Sequence, residues 1–121
     1  MTIYRVQDAD GRGPWKPGFP DTWVEPRQDH ENLLPFFCEF GMVHRKALDH
    51  EHLGVGCLTV RQLQRWFTPT EFIALRNHGY AAVRIEADRI LAQSDVQCVF
   101  ANLRPLAEGA ITFDLYEPES P

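Results

Sequence analysis

Thr59-Val60-Arg61-Gln62-Leu63-Gln64-Arg65-Trp66-Phe67-Thr68-Pro69-Thr70-Glu71-Phe72-Ile73-Ala74-Leu75-Arg76-Asn77-His78-Gly79 contains two helix starts and one helix stop. Thr59 and Gln62 have the spacing of a capping box, in which the threonine oxygen accepts from one backbone N–H and the glutamine reaches back to another. A helix is therefore expected from Val60, with Leu63, Trp66 and Phe67 on one side and Arg61, Gln64 and Arg65 towards the other. Thr68 repeats the signal as an N-cap, followed by Pro69 at the first helical position and Glu71 three residues after the cap. The second helix buries Phe72 and Leu75, and it stops around Asn77-His78-Gly79, where glycine can take the left-handed conformation of a C-cap. Two short helices meeting at a corner are the expectation.

The sequence around this corner reads as strands. Tyr80 to Ala87 alternates, with Ala81, Val83 and Ile85 opposite Arg84 and Glu86, as in a half-exposed strand. Val96 to Ala101 and Ala110 to Tyr116 read similarly, and in the latter Ile111, Phe113 and Leu115 share a face opposite Thr112 and Asp114. At the start, Thr2-Ile3-Tyr4-Arg5-Val6 is rich in β-branched and aromatic residues and runs into the turn residues Asp8-Ala9-Asp10-Gly11. It places Tyr4 and Val6 on one face and Ile3 and Arg5 on the other. The expected fold is α+β: a mainly antiparallel sheet packed against two short helices, with a long Pro/Gly-rich N-terminal loop. One domain is expected over residues 1–116, followed by a polar tail at 117–121.

That loop spans Gly11 to Pro35 and holds Pro14, Pro17, Pro20, Pro26 and Pro35 with Gly11, Gly13 and Gly18, which excludes a persistent helix or central strand. Trp15, Phe19 and Trp23 are costly to leave in water, so the segment either folds over the core or offers an adhesive surface to a partner. Leu33 to Phe40 is apolar and reads equally as a short strand or an irregular core segment. His44 to His52 is polar, and Gly54-Val55-Gly56 reads as the close of a second loop.

A chain of 121 residues with 44% hydrophobic and 12% aromatic residues has the composition of a folded protein. The net charge of −5 disfavours phosphate backbones, where affinity comes largely from Lys and Arg releasing counterions, so no direct nucleic-acid partner is expected. Cys38, Cys57 and Cys98 form neither a CxxC pair nor an even disulfide framework, and the opening Met-Thr-Ile-Tyr-Arg lacks the apolar stretch of a secretion signal. No apolar run approaches the ~18 residues that cross a bilayer. The cytoplasm of a host cell is the expected compartment, with no membrane partner.

Cys38, His44, Asp49, His50, Glu51, His52 and Cys57 are residue types that transition metals use, but their spacing is not that of paired zinc ligands, so no metal is expected. Cys57 and Cys98 would need a base to form thiolate and nothing in the sequence aligns one, which favours buried core thiols. Gly11-Arg12-Gly13-Pro14 does not open onto a helix, and Pro14 has no N–H to donate; it reads as a turn rather than a phosphate cradle.

Through Ile3-Tyr4-Arg5-Val6, Gly11-Arg12-Gly13-Pro14-Trp15, Leu63-x-x-Trp66-Phe67 and Gln97-Cys98-Val99-Phe100, the sequence resembles small proteins of phages and prophages. Such accessory proteins often bind and block a host protein, anti-CRISPR proteins being one class. The resemblance implies a host-protein binder rather than an enzyme, without cofactor. Its expected contacts are the anchors Trp15, Phe19 and Trp23 with the acidic neighbours Asp21 and Glu25. There is a fainter similarity to the ADP-ribosyltransferase fold, in which a Tyr-Arg strand meets nicotinamide adenine dinucleotide (NAD) and a late strand carries the catalytic glutamate. Arg5 matches the first feature, but Gln97 stands where the glutamate would be and no Ser-Thr-Ser strand lies between. Gln97 cannot supply the negative charge such a transition state needs, so the similarity implies at most a degenerate NAD-binding protein. Read from residue type alone, Arg5 and Gln97 face water.

Overall fold

A computed structural model describes residues 1–14 and 40–116. Both helices form where their caps lie. α1 (Val60–Trp66) and α2 (Pro69–Asn77) each begin with a complete capping box: Gln62 N donates to Thr59 Oγ1 at 3.1 Å, and Glu71 N donates to Thr68 Oγ1 at 3.2 Å. Gln62 and Glu71 return the favour by accepting from the cap N–H groups, which leaves fewer of the first-turn donors without a partner. α2 ends as its sequence requires, with Gly79 at φ +89° and Tyr80 N donating to the Leu75 carbonyl at 3.0 Å.

Six strands complete the described chain: β1 (Thr2–Gln7), β2 (His52–Gly56), β3 (Ala81–Glu86), β4 (Arg89–Gln93), β5 (Cys98–Asn102) and β6 (Ile111–Phe113). They form two antiparallel three-stranded sheets, ordered β1-β3-β6 and β2-β5-β4. The α+β class and the antiparallel pairing are those expected from the sequence. The sheets are joined where Tyr4 and Cys57 exchange backbone hydrogen bonds, both 2.8 Å long, so that β1 continues the ladder into the end of β2.

The strand alternation of β1 divides the core. Val6 packs on the helix side with Cys57, Leu63, Phe67, Phe72, Leu75, Tyr80, Ala82 and Leu115, and Tyr4 and Phe113 meet edge to face at 5.8 Å. Ile3 packs on the other side with Val83, Ile85, Cys98, Phe100 and Leu106. Tyr116 fastens the end of the described chain to the helical corner by donating to the Gln64 and Phe67 carbonyls. Full burial of side chains such as Ile3, Leu75 and Phe100 contributes roughly 1.5–3 kcal/mol each.

The strands differ from the sequence reading in three places. Gly54-Val55-Gly56 closes no loop but lies within β2. A Cβ on Gly54 would fall 2.6 Å from Phe100 Cζ, and one on Gly56 would fall 2.5 Å from Ile3 Cγ2, so these glycines mark close contact between layers. β4 had no counterpart in the reading; its pairing shifts register between Ile90 and Ala92, which breaks a simple alternation. β6 ends at Phe113, and Ile111 is exposed while Leu115 is buried beyond the strand, so the three do not share a buried face. The expected tail at 117–121, most of the loop from Gly11 to Pro35, and Leu33 to Glu39 lie outside the described residues.

Thr68→Ala removes the oxygen that caps α2 and is expected to lower the unfolding free energy by about 1 kcal/mol, read as a fall in the urea midpoint at unchanged slope. Gly56→Ala is expected to destabilise more strongly, because Tyr4 O also lies 3.0 Å from its added carbon.

Candidate functional site

β1 places Arg5 on the Ile3 face, against the second sheet, and there the expectation of a water-facing arginine fails: Arg5 is only 6% exposed. The cause is positional. β1 is flanked by β3 on one side and by the Cys57 end of β2 on the other, and Phe100 of β5 lies across its face. The guanidinium carbon sits 6.0 Å from the Phe100 ring centre, close enough for a cation–π attraction. Gly54 makes the position possible, since a Cβ there would come within 2.4 Å of Arg5 Nη1.

The polar partners of this buried cation are few. Nη2 donates to the Gly11 carbonyl at 3.3 Å, while Nε and Nη1 are buried with no hydrogen-bond partner. Two residues along the same strand face, Gln7 donates from Nε2 to the Leu106 carbonyl at 2.9 Å, but its Oε1 is buried and equally unpartnered. Burial pulls the Arg5 pKa down to about 10, opposed by the more distant charge of Asp8, so the guanidinium stays protonated at neutral pH.

Gln97 is also buried, at 2% exposure, contrary to the water-facing expectation. It lies at the base of a tight turn in which Ser94 N donates to its carbonyl at 2.9 Å. Gln97 precedes β5, which begins at Cys98, and so belongs to the turn rather than to the strand. Arg5 thus lies within β1, and Gln97 lies in the turn that leads into β5.

Cys57 and Cys98 are buried core thiols, as their residue type suggested. Desolvation pushes the Cys57 pKa far up and raises that of Cys98 to about 11. In the histidine-bearing stretch, Val43–Lys46 forms a 3-10 turn, and Glu51 is committed elsewhere. Its carboxylate takes two hydrogen bonds from Arg89, at 2.6 and 3.0 Å, and one from Leu48 N at 2.9 Å. Among the described residues no group of three His, Cys, Asp or Glu side chains is arranged to hold a metal. Trp15, Phe19, Asp21, Trp23, Glu25 and Cys38 lie outside the described residues. Among the described residues no helix is long and apolar enough to cross a membrane.

Gln7, Gly54 and Phe100 are the neighbours of Arg5 that sequence reasoning missed. The only available signal was two glycines, Gly54 and Gly56, spaced by two in a stretch that otherwise has strand-forming residues.

With this geometry in view, the chain's relatives can be placed. An α+β fold of two small antiparallel sheets and a capped helical corner defines its class. The chain belongs to the bacteriophage T4 Y00F protein family, whose family model matches residues 1–113. No curated protein and no solved structure matches it.

Because the nucleophile is the thiolate, native Cys57 and Cys98 are expected to resist alkylation at pH 8 and to react fully after unfolding. Peptide mapping by mass spectrometry after timed iodoacetamide treatment reads both sites; rapid native labelling of Cys98 would refute the buried-thiol assignment.

Proposed function

We propose that this protein is a phage accessory protein that binds and inhibits a host protein, acting as an anti-CRISPR or other anti-defence factor. Membership of a phage protein family across residues 1–113 is the observation that carries this reading. Charge and composition support it. The net charge of −5 suits a basic protein surface better than nucleic acid, and Trp15, Phe19 and Trp23 stand among Asp21 and Glu25, the combination of aromatic anchors and steering charge used at protein interfaces. The partner is a host protein in the cytoplasm, with no cofactor required.

An ADP-ribosyltransferase-like NAD-binding protein is the alternative. It needs Arg5 and Gln97 to address one ligand, and the burial of both side chains weighs against that. We favour the binder.

The test is capture of partners from host lysate on the tagged protein, followed by size-exclusion chromatography of the recovered complex. One stoichiometric host protein is the expected result. Trp15→Ala and Trp23→Ala are then expected to weaken capture, each by a factor of ten or more if the residue is a hot spot worth about 2 kcal/mol, with the folded circular dichroism spectrum retained. Loss of the folded spectrum in both variants, with capture tracking only the folded fraction, would identify these residues as core and sink the assignment. Saturable NAD binding abolished by Arg5→Ala, in place of host-protein capture, would establish the alternative.

A further inference from the structure

The interior of the fold contains a cation, Arg5, that forms no ion pair among the described residues. A guanidinium has five N–H donors, and Arg5 has one hydrogen bond, from Nη2 to Gly11 O. Nε and Nη1 are buried and unpartnered, and among the described residues no carboxylate forms an ion pair with Arg5. Asp8 acts on it only from a distance, and Asp8 Oδ1 already accepts from Asp10 N and Arg12 N. The contact with Phe100 offsets a minor part of the desolvation of an isolated ion. Backbone without side chains borders the group on two sides: Gly54 lies against Nη1 and Gly13 near Nη2.

We propose that Arg5 is the receptor of a small-oxyanion site between the two sheets, taking a carboxylate or a phosphate group on its unpartnered donors. The oxyanion supplies the missing counter-charge and accepts hydrogen bonds from Nε and Nη1. Arginine suits either group, since its planar array of donors matches both. This site is independent of the host-protein reading: the partner contacts proposed above do not include Arg5, so either idea can fail alone.

The experiment is a titration of the full chain, labelled with 15N-arginine, with inorganic phosphate in one arm and acetate in the other at constant ionic strength. The Arg5 Nε–H resonance, assigned by its absence in Arg5→Lys, is expected to move and saturate in at least one arm. The arm that saturates at lower concentration distinguishes a phosphate from a carboxylate source. In parallel, the thermal midpoint of the wild type is expected to rise with the logarithm of the saturating anion, and that of Arg5→Met is expected to stay flat. A resonance that shifts linearly or not at all in both arms overturns the proposal and leaves buried water as the partner of Nε and Nη1. A midpoint that rises equally in Arg5→Met overturns it too. If Arg5→Met or Arg5→Lys does not fold, triple-resonance assignment and titration of the wild type decide alone.

Discussion

The pair of backbone hydrogen bonds between Tyr4 and Cys57 holds the rest of the fold in register. Without it there would be two separate three-stranded sheets, each with open edges on both sides. With it, the inner edge of each sheet is joined to the other, and β1 becomes the strand against which both core clusters form. Its even-numbered residues Tyr4 and Val6 serve the helical corner, and its odd-numbered residues Ile3, Arg5 and Gln7 face the second sheet. The join is possible because Gly56, next to Cys57, has no side chain to collide with Ile3 or with the Tyr4 carbonyl.

This arrangement explains which parts of the fold can be read in the sequence. α1 and α2 are legible to the residue because a capping box is local: Thr59 with Gln62 and Thr68 with Glu71 satisfy each other within one turn, whatever else the chain does. β1, β3 and β5 are legible because a continuous run of strand-forming residues needs only its own composition to be recognised. β2 is illegible for the opposite reason. Gly54 and Gly56 are poor strand formers taken singly, and their justification lies in Ile3, Arg5 and Phe100, separated from them by more than forty residues in sequence. β4 is hidden by its irregular pairing, and it is held in place by side chains that sequence patterns do not link, Asn102 and Asp88 exchanging bonds with the backbone around Glu86, Asp88 and Leu103.

The polar groups show the same division. Glu51 reads in sequence as one member of a histidine-rich ligand cluster, and in the fold it anchors Arg89 and the Leu48 backbone. The decisive residue, Arg89, lies in the strand that the sequence conceals. Residue type also misleads for Arg5 and Gln97, because preference for water is an average over surfaces: Arg5 sits in β1 between β3 and β2, and Gln97 is buried in the turn before β5. Family membership is the complement of such reasoning: it assigns residues 1–113 to a phage lineage without depending on any one of these local readings.

A buried arginine asks for an explanation in a way that a buried leucine does not. An unbranched apolar side chain such as methionine would occupy much of this space and would need no hydrogen bonds, and replacement of buried ions by apolar residues is often neutral or stabilising. Retaining Arg5 there leaves Nε and Nη1 unpartnered, as is Gln7 Oε1 on the same strand face, beside a cluster that includes Ile3, Val83, Ile85, Cys98 and Phe100. Stability alone does not account for that choice, because an apolar side chain serves it as well or better. A polar group with which these atoms can pair does account for it, and the positive charge that Arg5 keeps at neutral pH selects an anion over a neutral ligand.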